Sequence, residues 1–180
     1  MRREPGGIVT VYALGEQVPV VHPDAYVHPD AVVIGSVEIG AGSTIWPSAV
    51  LRADYGRIVV GESTSIQDGS VLHVSAGLVT KVGNRCVVGH LVHLEGCTIE
   101  DDCLVGNGAI VLHRAVVRSG ALVGSGAFVG NGVEVPAYAT ALGVPAKMRA
   151  DTVKPGAFDA AVALYVENGR RFKEQLRRID

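Results

Sequence analysis

Three histidines and one glutamate lie close together in this 180-residue chain, and side chains of these types can bind a metal ion. His73, His90, His93 and Glu95 fall within a short stretch of the sequence. Zinc favours imidazole nitrogen and carboxylate oxygen, and a catalytic zinc site keeps one position open for water. Alternate residues of a strand share a face, so His93 and Glu95 are predicted to point outward on either side of an inward Leu94. The cluster therefore predicts a divalent-metal site.

Six-residue repeats must position these side chains. From residue 27 to 140 each repeat begins with an aliphatic residue and carries a small residue four positions later, as in Val105–Ile110, Val117–Leu122 and Val123–Phe128. Such repeats build a β-helix, in which three repeats close one triangular coil and successive coils lie about 4.8 Å apart. Hexapeptide coils are known to wind left-handed, an exception to the usual right-handed crossover. The predicted fold class is an all-β solenoid, a left-handed parallel β-helix with a C-terminal α-helix.

The chain divides into four predicted segments. They are a lead-in strand or cap at residues 1–26, the β-helix at 27–140, a connector at 141–155 and an α-helix at 156–180. Apolar residues at three- and four-residue spacings indicate the helix, and its basic residues are interpreted as a solvated face. The repeat register is interrupted at residues 55–57 and 74–81, where Ser75-Ala76-Gly77 predicts a protruding loop. Interruptions of a solenoid tend to lie on its functional face.

Composition narrows the functional classes. The chain is 48% hydrophobic and 19% charged, with a net charge of −2, which favours a compact single domain and argues against nucleic-acid binding. We expect no membrane partner and a cytoplasmic location, because no apolar run reaches spanning length and the N-terminus has no signal-peptide pattern. Cys86 and Cys103 occupy small-residue positions of their repeats, so they are predicted to be buried core thiols, and their spacing with Cys97 is not a zinc motif.

Several motifs resemble those of γ-class carbonic anhydrases, and the resemblance covers almost the whole chain. The matching segments are Trp46–Asp54, Ile66–His73, Val88–His90, Gly96–Gly106 and Ala141–Lys147. The resemblance implies a homotrimer of left-handed β-helices, each with a C-terminal helix packed alongside. It also implies Zn²⁺, or another divalent ion such as Fe²⁺ or Co²⁺, bound between subunits, with two ligands from one subunit and the third from its neighbour. In that family a metal-bound hydroxide attacks carbon dioxide.

The resemblance carries over to individual ligands, with one departure. His73 and His90 match two metal ligands of the family, whereas Glu95 stands five positions after His90, where a third histidine is usual. Glu95 can still be a ligand, because two histidines and one glutamate form a known catalytic zinc set. A carboxylate would leave the bound water less acidic and slow the reaction at neutral pH. Two alternatives are that His93 is the ligand and Glu95 a general base, or that the site holds no metal.

Other positions match the family outside the ligand set. The resemblance implies that Gln67 hydrogen-bonds the metal-bound water, with Asp68 following it as expected, and that Tyr165 overhangs the pocket. Arg52 and Asp54 match a charge pair at the subunit interface and the edge of the active site, where such a pair can act structurally. Ser65 stands where many members have Asn, which removes one hydrogen-bond donor.

Two functional classes follow for this sequence. The first is a metal-dependent lyase acting on carbon dioxide, or a hydrolase acting on an ester, a thioester or another small carbonyl substrate. The second is a non-catalytic trimer that binds a small molecule or serves an assembly. A hexapeptide acyltransferase is a third interpretation, because those enzymes also use trimeric β-helices with a catalytic histidine. It is weaker because His73 and His90 match metal ligands of the γ-class carbonic anhydrases.

Overall fold

Short strands follow one another around the three faces of a prism, and each pairs in parallel with a strand one coil away. The computed structural model describes residues 10–180. Its elements are β1 (Thr10–Tyr12), β2 (Val20–Val21), β3 (Tyr26–Val27), β4 (Val32–Ile39), β5 (Thr44–Ile45), β6 (Val50–Val60), β7 (Ser65–Ile66), β8 (Val71–His73), β9 (Val79–Val82), β10 (Val87–Val88), β11 (His93–Glu95), β12 (Thr98–Ile99), β13 (Leu104–Val105), β14 (Ile110–Val111), β15 (Val116–Val117), β16 (Leu122–Val123), β17 (Phe128–Val129), β18 (Glu134–Val135), β19 (Thr140–Leu142), β20 (Lys147–Arg149) and α1 (Asp159–Gln175).

The pairing defines three faces and about seven coils. The first face contains β1, β8, β11, β14 and β17, and the second contains β2, β9, β12, β15 and β18. The long strands β4 and β6 run through both of these faces, so they cross the corner between them. The third face is built from β3, β5, β7, β10, β13, β16 and β19, and β20 closes it in antiparallel pairing with β19. The predicted fold class, a left-handed β-helix of hexapeptide repeats with one C-terminal helix, is confirmed.

The core is a stack of aliphatic side chains that the register holds one above another. On the first face Leu51 pairs with Leu72, Leu72 with Leu94, and Leu94 with Val111. All four are fully buried. Burial of a Leu or Val side chain contributes about 1.5–3 kcal/mol, so each coil is stabilised mainly by its contacts with the coils above and below.

The lead-in and the C-terminal segment contain the predicted kinds of element. In the lead-in, β1 and β2 pair in parallel with β4 and so extend its sheet. The helix α1 is shorter than the segment 156–180, so Leu176 and Ile179 follow it and are exposed. The predicted interruption of the repeat register at residues 55–57 is confirmed. These residues lie within β6 where it crosses the corner, and there the pairing with β4 shifts from Gly35 opposite Ala53 to Val37 opposite Ile58. In the part of the chain that the structure describes, no helix is long and apolar enough to cross a membrane.

The helix α1 packs against the third face through an aromatic cluster. The ring centroid of Trp46 lies 5.0 Å from that of Phe172 and 6.0 Å from that of Tyr165, and Tyr26 packs beside Phe172 at 6.0 Å. Gly169 allows this approach, because a Cβ there would lie 2.5 Å from Thr44 Cγ2. The basic side chains of the segment (Arg170, Arg171, Lys173, Arg177 and Arg178) are exposed, as the interpretation of a solvated face requires.

The three cysteines are free thiols in the core, which confirms the predicted burial of Cys86 and Cys103. Cys86, Cys97 and Cys103 are all at most 1% exposed. A hydrogen bond with Cys103 and burial raise the pKa of the Cys86 thiol well above its usual range, and burial raises that of Cys97 to about 12. Thiols of this kind are poor nucleophiles, since the thiolate is the reactive form.

Candidate functional site

A ladder of polar side chains runs down the first face beside the core. The parallel register places Arg52 next to His73 and His73 next to Glu95, each one coil apart. Alternation along each strand turns these three side chains outward while Leu51, Leu72 and Leu94 turn inward. The strands therefore bring together three residues that the sequence separates by about twenty positions each.

The ladder continues into a cluster at the corner between the first and second faces. His73 Nδ1 lies 3.1 Å from Glu95 Oε1, and His73 Nε2 lies 3.1 Å from Asp54 Oδ1. Arg52 donates to the second oxygen of Asp54. His93 Nε2 lies 3.2 Å from Glu95 Oε2. Ser75 and His113 complete what we call the Glu95 cluster: Arg52, Asp54, His73, Ser75, His93, Glu95 and His113.

Sequence reasoning missed Ser75 and His113 as members of this site. Ser75 Oγ donates to Glu95 Oε1 at 2.9 Å and lies 3.2 Å from His113 Nε2, which is itself 3.3 Å from Glu95 Oε1. Ser75 comes from the interruption after β8, which was predicted to lie on the functional face. His113 comes from the next coil, and it reaches Glu95 because Gly96, between them, has no side chain. A Cβ at Gly96 would lie 2.9 Å from His113 Cδ2.

His73 has a carboxylate at each of its two ring nitrogens. A neutral imidazole carries one proton, so only one nitrogen can donate a hydrogen bond. The other nitrogen would then direct its lone pair at the carboxylate of Asp54 or Glu95. The side chains of all three residues are only 18–19% exposed, so water screens that repulsion poorly. A cation bound at that nitrogen would remove the repulsion.

The hydrogen bonds of the cluster stabilise both carboxylates in the charged form. Burial alone would raise the pKa of Glu95, but the hydrogen bonds from Ser75, His93, His73 and His113 lower it to about 2. Burial opposes the same change at Asp54, where hydrogen bonds from its own backbone N–H, Arg52 and His73 and the charge of Arg52 lower the pKa of the carboxyl. Both carboxylates are thus anions at neutral pH, with Arg52 as the one permanent cation of the Glu95 cluster.

His90 lies at the opposite edge of the first face. It occupies the turn between β10 and β11, and its Nδ1 lies 3.0 Å from Asp68 Oδ2 in the equivalent turn one coil earlier. Both side chains are about half exposed. Within residues 10–180 no hydrogen bond or ion pair joins His90 to His73 or Glu95. The sequence-predicted ligands therefore form two groups on one subunit, one at each edge of the same face.

Within residues 10–180, the remaining predicted site residues form no hydrogen bond with the Glu95 cluster. Gln67 is 3% exposed and follows β7, immediately before the Asp68 turn. Tyr165 packs its ring against Trp46, and Ser65 Oγ accepts a hydrogen bond from Trp46 Nε1 at 3.0 Å. Packing accounts for these positions of Tyr165 and Ser65, and their roles in chemistry stay predictions.

The donor set of a single subunit is incomplete for a metal ion. In residues 10–180 no three His, Cys, Asp or Glu side chains are arranged to hold one by themselves. The pair His73 and Glu95 nevertheless has suitable spacing, because the donor atoms of a tetrahedral zinc site lie about 3.3 Å apart. The separation of 3.1 Å between His73 Nδ1 and Glu95 Oε1 is close to that value. His73 and Glu95 therefore fit two positions of a metal site, and at least one further ligand would have to come from elsewhere.

An apolar strip separates the two groups of candidate ligands. The outward residues paired along the first face include Val32, Val50, Val71, Ile110 and Phe128, with His93 between Val71 and Ile110. None of these apolar side chains is fully buried, and Ile110 is 37% exposed. Outward positions of a solvated sheet are normally polar, so an apolar strip of this length is typical of a surface that another protein covers.

Comparison with known proteins agrees with this architecture. The family profile described as "bacterial transferase hexapeptide (six repeats)" matches residues 19–53. The carnitine operon protein CaiE of Escherichia fergusonii is 50% identical over 95 residues, which cover 53% of this chain and 48% of CaiE. The chain thus spans about half the length of the curated relatives it matches.

Two solved structures are similar over nearly the whole chain. A putative acetyltransferase from Bacillus cereus is 31% identical with a TM-score of 0.87, covering 91% of this chain and 96% of its own. A hexapeptide transferase family protein from Anaplasma phagocytophilum is also 31% identical, with a TM-score of 0.86 and coverage of 91% and 98%. The chain belongs to the hexapeptide-repeat family of left-handed β-helix proteins, in agreement with the family resemblance.

The packing at Gly96 generates a prediction about the Glu95 cluster. We expect Gly96→Ala to displace His113 and Leu78, whose nearest atoms would lie 2.9 and 2.7 Å from the added carbon, and to lower the melting temperature. Gly108→Ala is the matched control, because its φ of +66° is close to the +59° of Gly96 but nothing lies within 4 Å. Both variants carry a backbone cost of about 1 kcal/mol, and only Gly96→Ala should also shift the imidazole NMR signals of His113. Equal melting temperatures and unchanged imidazole signals would contradict the assigned packing.

Proposed function

We propose that this protein is a metal-dependent enzyme of the γ-carbonic anhydrase type that works as a cyclic homotrimer. In this proposal His73 and Glu95 of one subunit and His90 of the partner subunit hold a divalent ion, with Zn²⁺ as the first candidate. The observation that carries the proposal is His73 with a carboxylate at each ring nitrogen, so that the nitrogen without a proton directs its lone pair at a carboxylate. A divalent cation bound at that nitrogen would relieve the repulsion.

The positions of the two ligand groups support a trimer. A cyclic assembly other than a dimer uses two different patches on each subunit, which meet head to tail around the ring. Here the Glu95 cluster lies at one edge of the first face, His90 lies at the other, and the apolar strip lies between them. Burial of this strip would stabilise the assembly, and the head-to-tail contact would bring His90 of the partner subunit to His73 and Glu95.

The chain's own residues have distinct tasks in the proposed reaction, which is the reversible hydration of carbon dioxide. A bound divalent ion would supply Lewis acidity, which makes water a stronger nucleophile near neutral pH. Arg52 fixes Asp54, and Asp54 fixes the orientation of the His73 ring. As the family resemblance implies, Gln67 would orient the water, and Tyr165 would lie at the edge of the pocket. His93 contacts Glu95 Oε2 and is the alternative ligand.

A second candidate function is acyl transfer. It is favoured by the Bacillus cereus structure described as a putative acetyltransferase, whose similarity covers 91% of this chain. The two candidates differ in what they bind, since acyl transfer needs an acyl donor such as acetyl-coenzyme A. Saturable binding of coenzyme A with no bound metal would favour this second function. Ester or thioester hydrolysis at the same metal site, and a non-catalytic binding trimer, are the remaining alternatives.

The assembly can be tested by its mass. We expect light scattering at micromolar concentration to give about three times the chain mass of 18.7 kDa, because the apolar strip and both ligand groups would otherwise face water. Ile110→Glu places a charge in the strip and should shift the protein towards monomer, while Leu164→Glu on the exposed helix surface should not. A native monomer at this concentration would contradict both the trimer and the shared site.

Metal content tests the proposed ligands. Protein purified without chelator should hold about one divalent ion per subunit, and His90→Ala should lose it with little change in melting temperature, because an exposed turn residue supports no core. The matched control is His22→Ala, since the His22 side chain is 46% exposed, as is that of His90 at 45%, and His22 lies outside both ligand groups. Elemental analysis of the purified variants gives the answer. Equal metal in the native protein and in His90→Ala would show that the assignment is wrong.

Position 95 gives the sharpest test of the reaction. Glu95→His would create a neutral set of three histidines, which leaves more of the ion's charge available to acidify water. We therefore expect this variant to hydrate carbon dioxide at least tenfold faster than the native protein near pH 7, as measured by stopped-flow pH indicator. Glu95→Gln is the control for loss of the charge alone, and it should not gain activity. Rapid turnover by the native protein, lost in Glu95→His, would instead make Glu95 a working part of a carbonic anhydrase.

A further inference from the structure

Glu95 is surrounded by more hydrogen-bond partners than binding to a metal ion requires. Its Oε1 atom accepts from Ser75 and lies within 3.3 Å of both His73 Nδ1 and His113 Nε2, while His93 Nε2 lies 3.2 Å from Oε2. Ser75 and His113 are not among the proposed ligands, yet both approach the same oxygen. They come from different coils, so no single repeat accounts for their convergence.

The single proton of the Ser75 hydroxyl determines the direction of the hydrogen bonds between Ser75 and its partners Glu95 and His113. A serine has one proton to donate, and that of Ser75 goes to Glu95 Oε1 at 2.9 Å. Ser75 Oγ can therefore only accept from His113 Nε2 at 3.2 Å, so Nε2 carries the proton of the His113 ring. His113 Nε2 also lies 3.3 Å from Glu95 Oε1. Both residues thus act as donors at this site, and Ser75 is not an activated nucleophile with His113 as its base.

We infer that Ser75 and His113 are positioning residues, whose convergence on Glu95 Oε1 fixes the carboxylate in the orientation that a metal ligand needs. This inference rests on the proposed function. A free glutamate side chain loses rotamer freedom when it is ordered, and donors that order it in advance remove that cost from metal binding. Groups that hold a ligand in this way commonly change metal affinity by about 10- to 100-fold when they are removed.

The interruption of the repeats after β8 explains why this chain can supply Ser75. The segment between β8 and β9 leaves the regular coil at the corner that β6 crosses, and Leu78 N bonds back to Ser75 O at 3.1 Å to close a tight turn. The turn directs the Ser75 hydroxyl back towards the first face, while Ala76 and Gly77 are exposed. Gly96 provides the space through which His113 approaches from the other side.

The experiment compares the Zn²⁺ affinity of the trimeric variants by competition with a chromophoric chelator. Ser75→Ala and His113→Ala should each weaken Zn²⁺ binding about 10- to 100-fold. Ser75→Thr keeps a hydroxyl and His113→Gln keeps an N–H at a similar reach, so both should restore most of the affinity. Ser125→Ala is the matched control, because Ser125 lies in an exposed turn on another coil. The absorption spectrum of Co²⁺-loaded protein should change in both alanine variants and remain native in the control.

The outcomes separate this inference from the proposed function. Native affinity and a native Co²⁺ spectrum in Ser75→Ala and His113→Ala would overturn the positioning role while leaving the metal site intact. A native trimer that binds neither Zn²⁺ nor Co²⁺ would overturn both proposals. Weakened binding in the alanine variants together with recovery in Ser75→Thr supports the inference, because a general loss of folding would not be reversed by one hydroxyl. Circular dichroism and light scattering on each variant confirm that it remains folded and assembled.

Discussion

Parallel, in-register stacking of successive coils is the constraint on which the rest of this molecule depends. Because equivalent residues lie about 4.8 Å apart on neighbouring coils, each position in a repeat generates a column. The inward column is the core, with Leu51, Leu72 and Leu94 in direct register. The outward columns need not be aliphatic, because they do not form the core. Their residue types therefore depend on what each surface contacts. One of them is apolar and another contains the polar ladder, which is why a surface for a partner and a candidate site lie side by side.

The same stacking makes the Glu95 cluster electrostatically demanding. Columns place Arg52, His73 and Glu95 within reach of one another whether or not their charges balance. The Glu95 cluster contains two carboxylates and one guanidinium in a partly buried location. Removing charges from water costs several kcal/mol per ion unless partners compensate for it. Four hydrogen bonds to Glu95 and those to Asp54 provide part of that compensation, and a cation would provide the rest.

The sequence was sufficient to predict the features that follow from periodicity. A leading aliphatic residue every six positions predicts the inward column, and alternation around Leu94 correctly turns His93 and Glu95 outward. The adjacency of His73 and Glu95 required the family resemblance, because spacing alone does not reveal how many residues each corner uses. Ser75 and His113 could not be predicted as site residues for the same reason. Their approach depends on the turn after β8 and on the missing side chain of Gly96, neither of which has a periodic signature. A strand in the lead-in was predicted, but the pairing of β1 and β2 with β4 was not, because these strands lack the regular repeat.

The glutamate at position 95 is best understood together with its neighbours. A carboxylate ligand donates more charge to a metal ion than an imidazole does, which by itself would make the ion a weaker Lewis acid. Here hydrogen bonds from Ser75, His93, His73 and His113 outweigh the effect of burial and lower the pKa of the carboxyl to about 2. A carboxylate that accepts these hydrogen bonds would transfer less charge to a bound ion than a freely hydrated glutamate would. The departure from three histidines and the additional donors therefore act in opposite directions on the same quantity, the charge left on the ion. Glu95 and its donors form one unit, so the chemistry of this position depends on Ser75 and His113 as well as on the residue type at position 95.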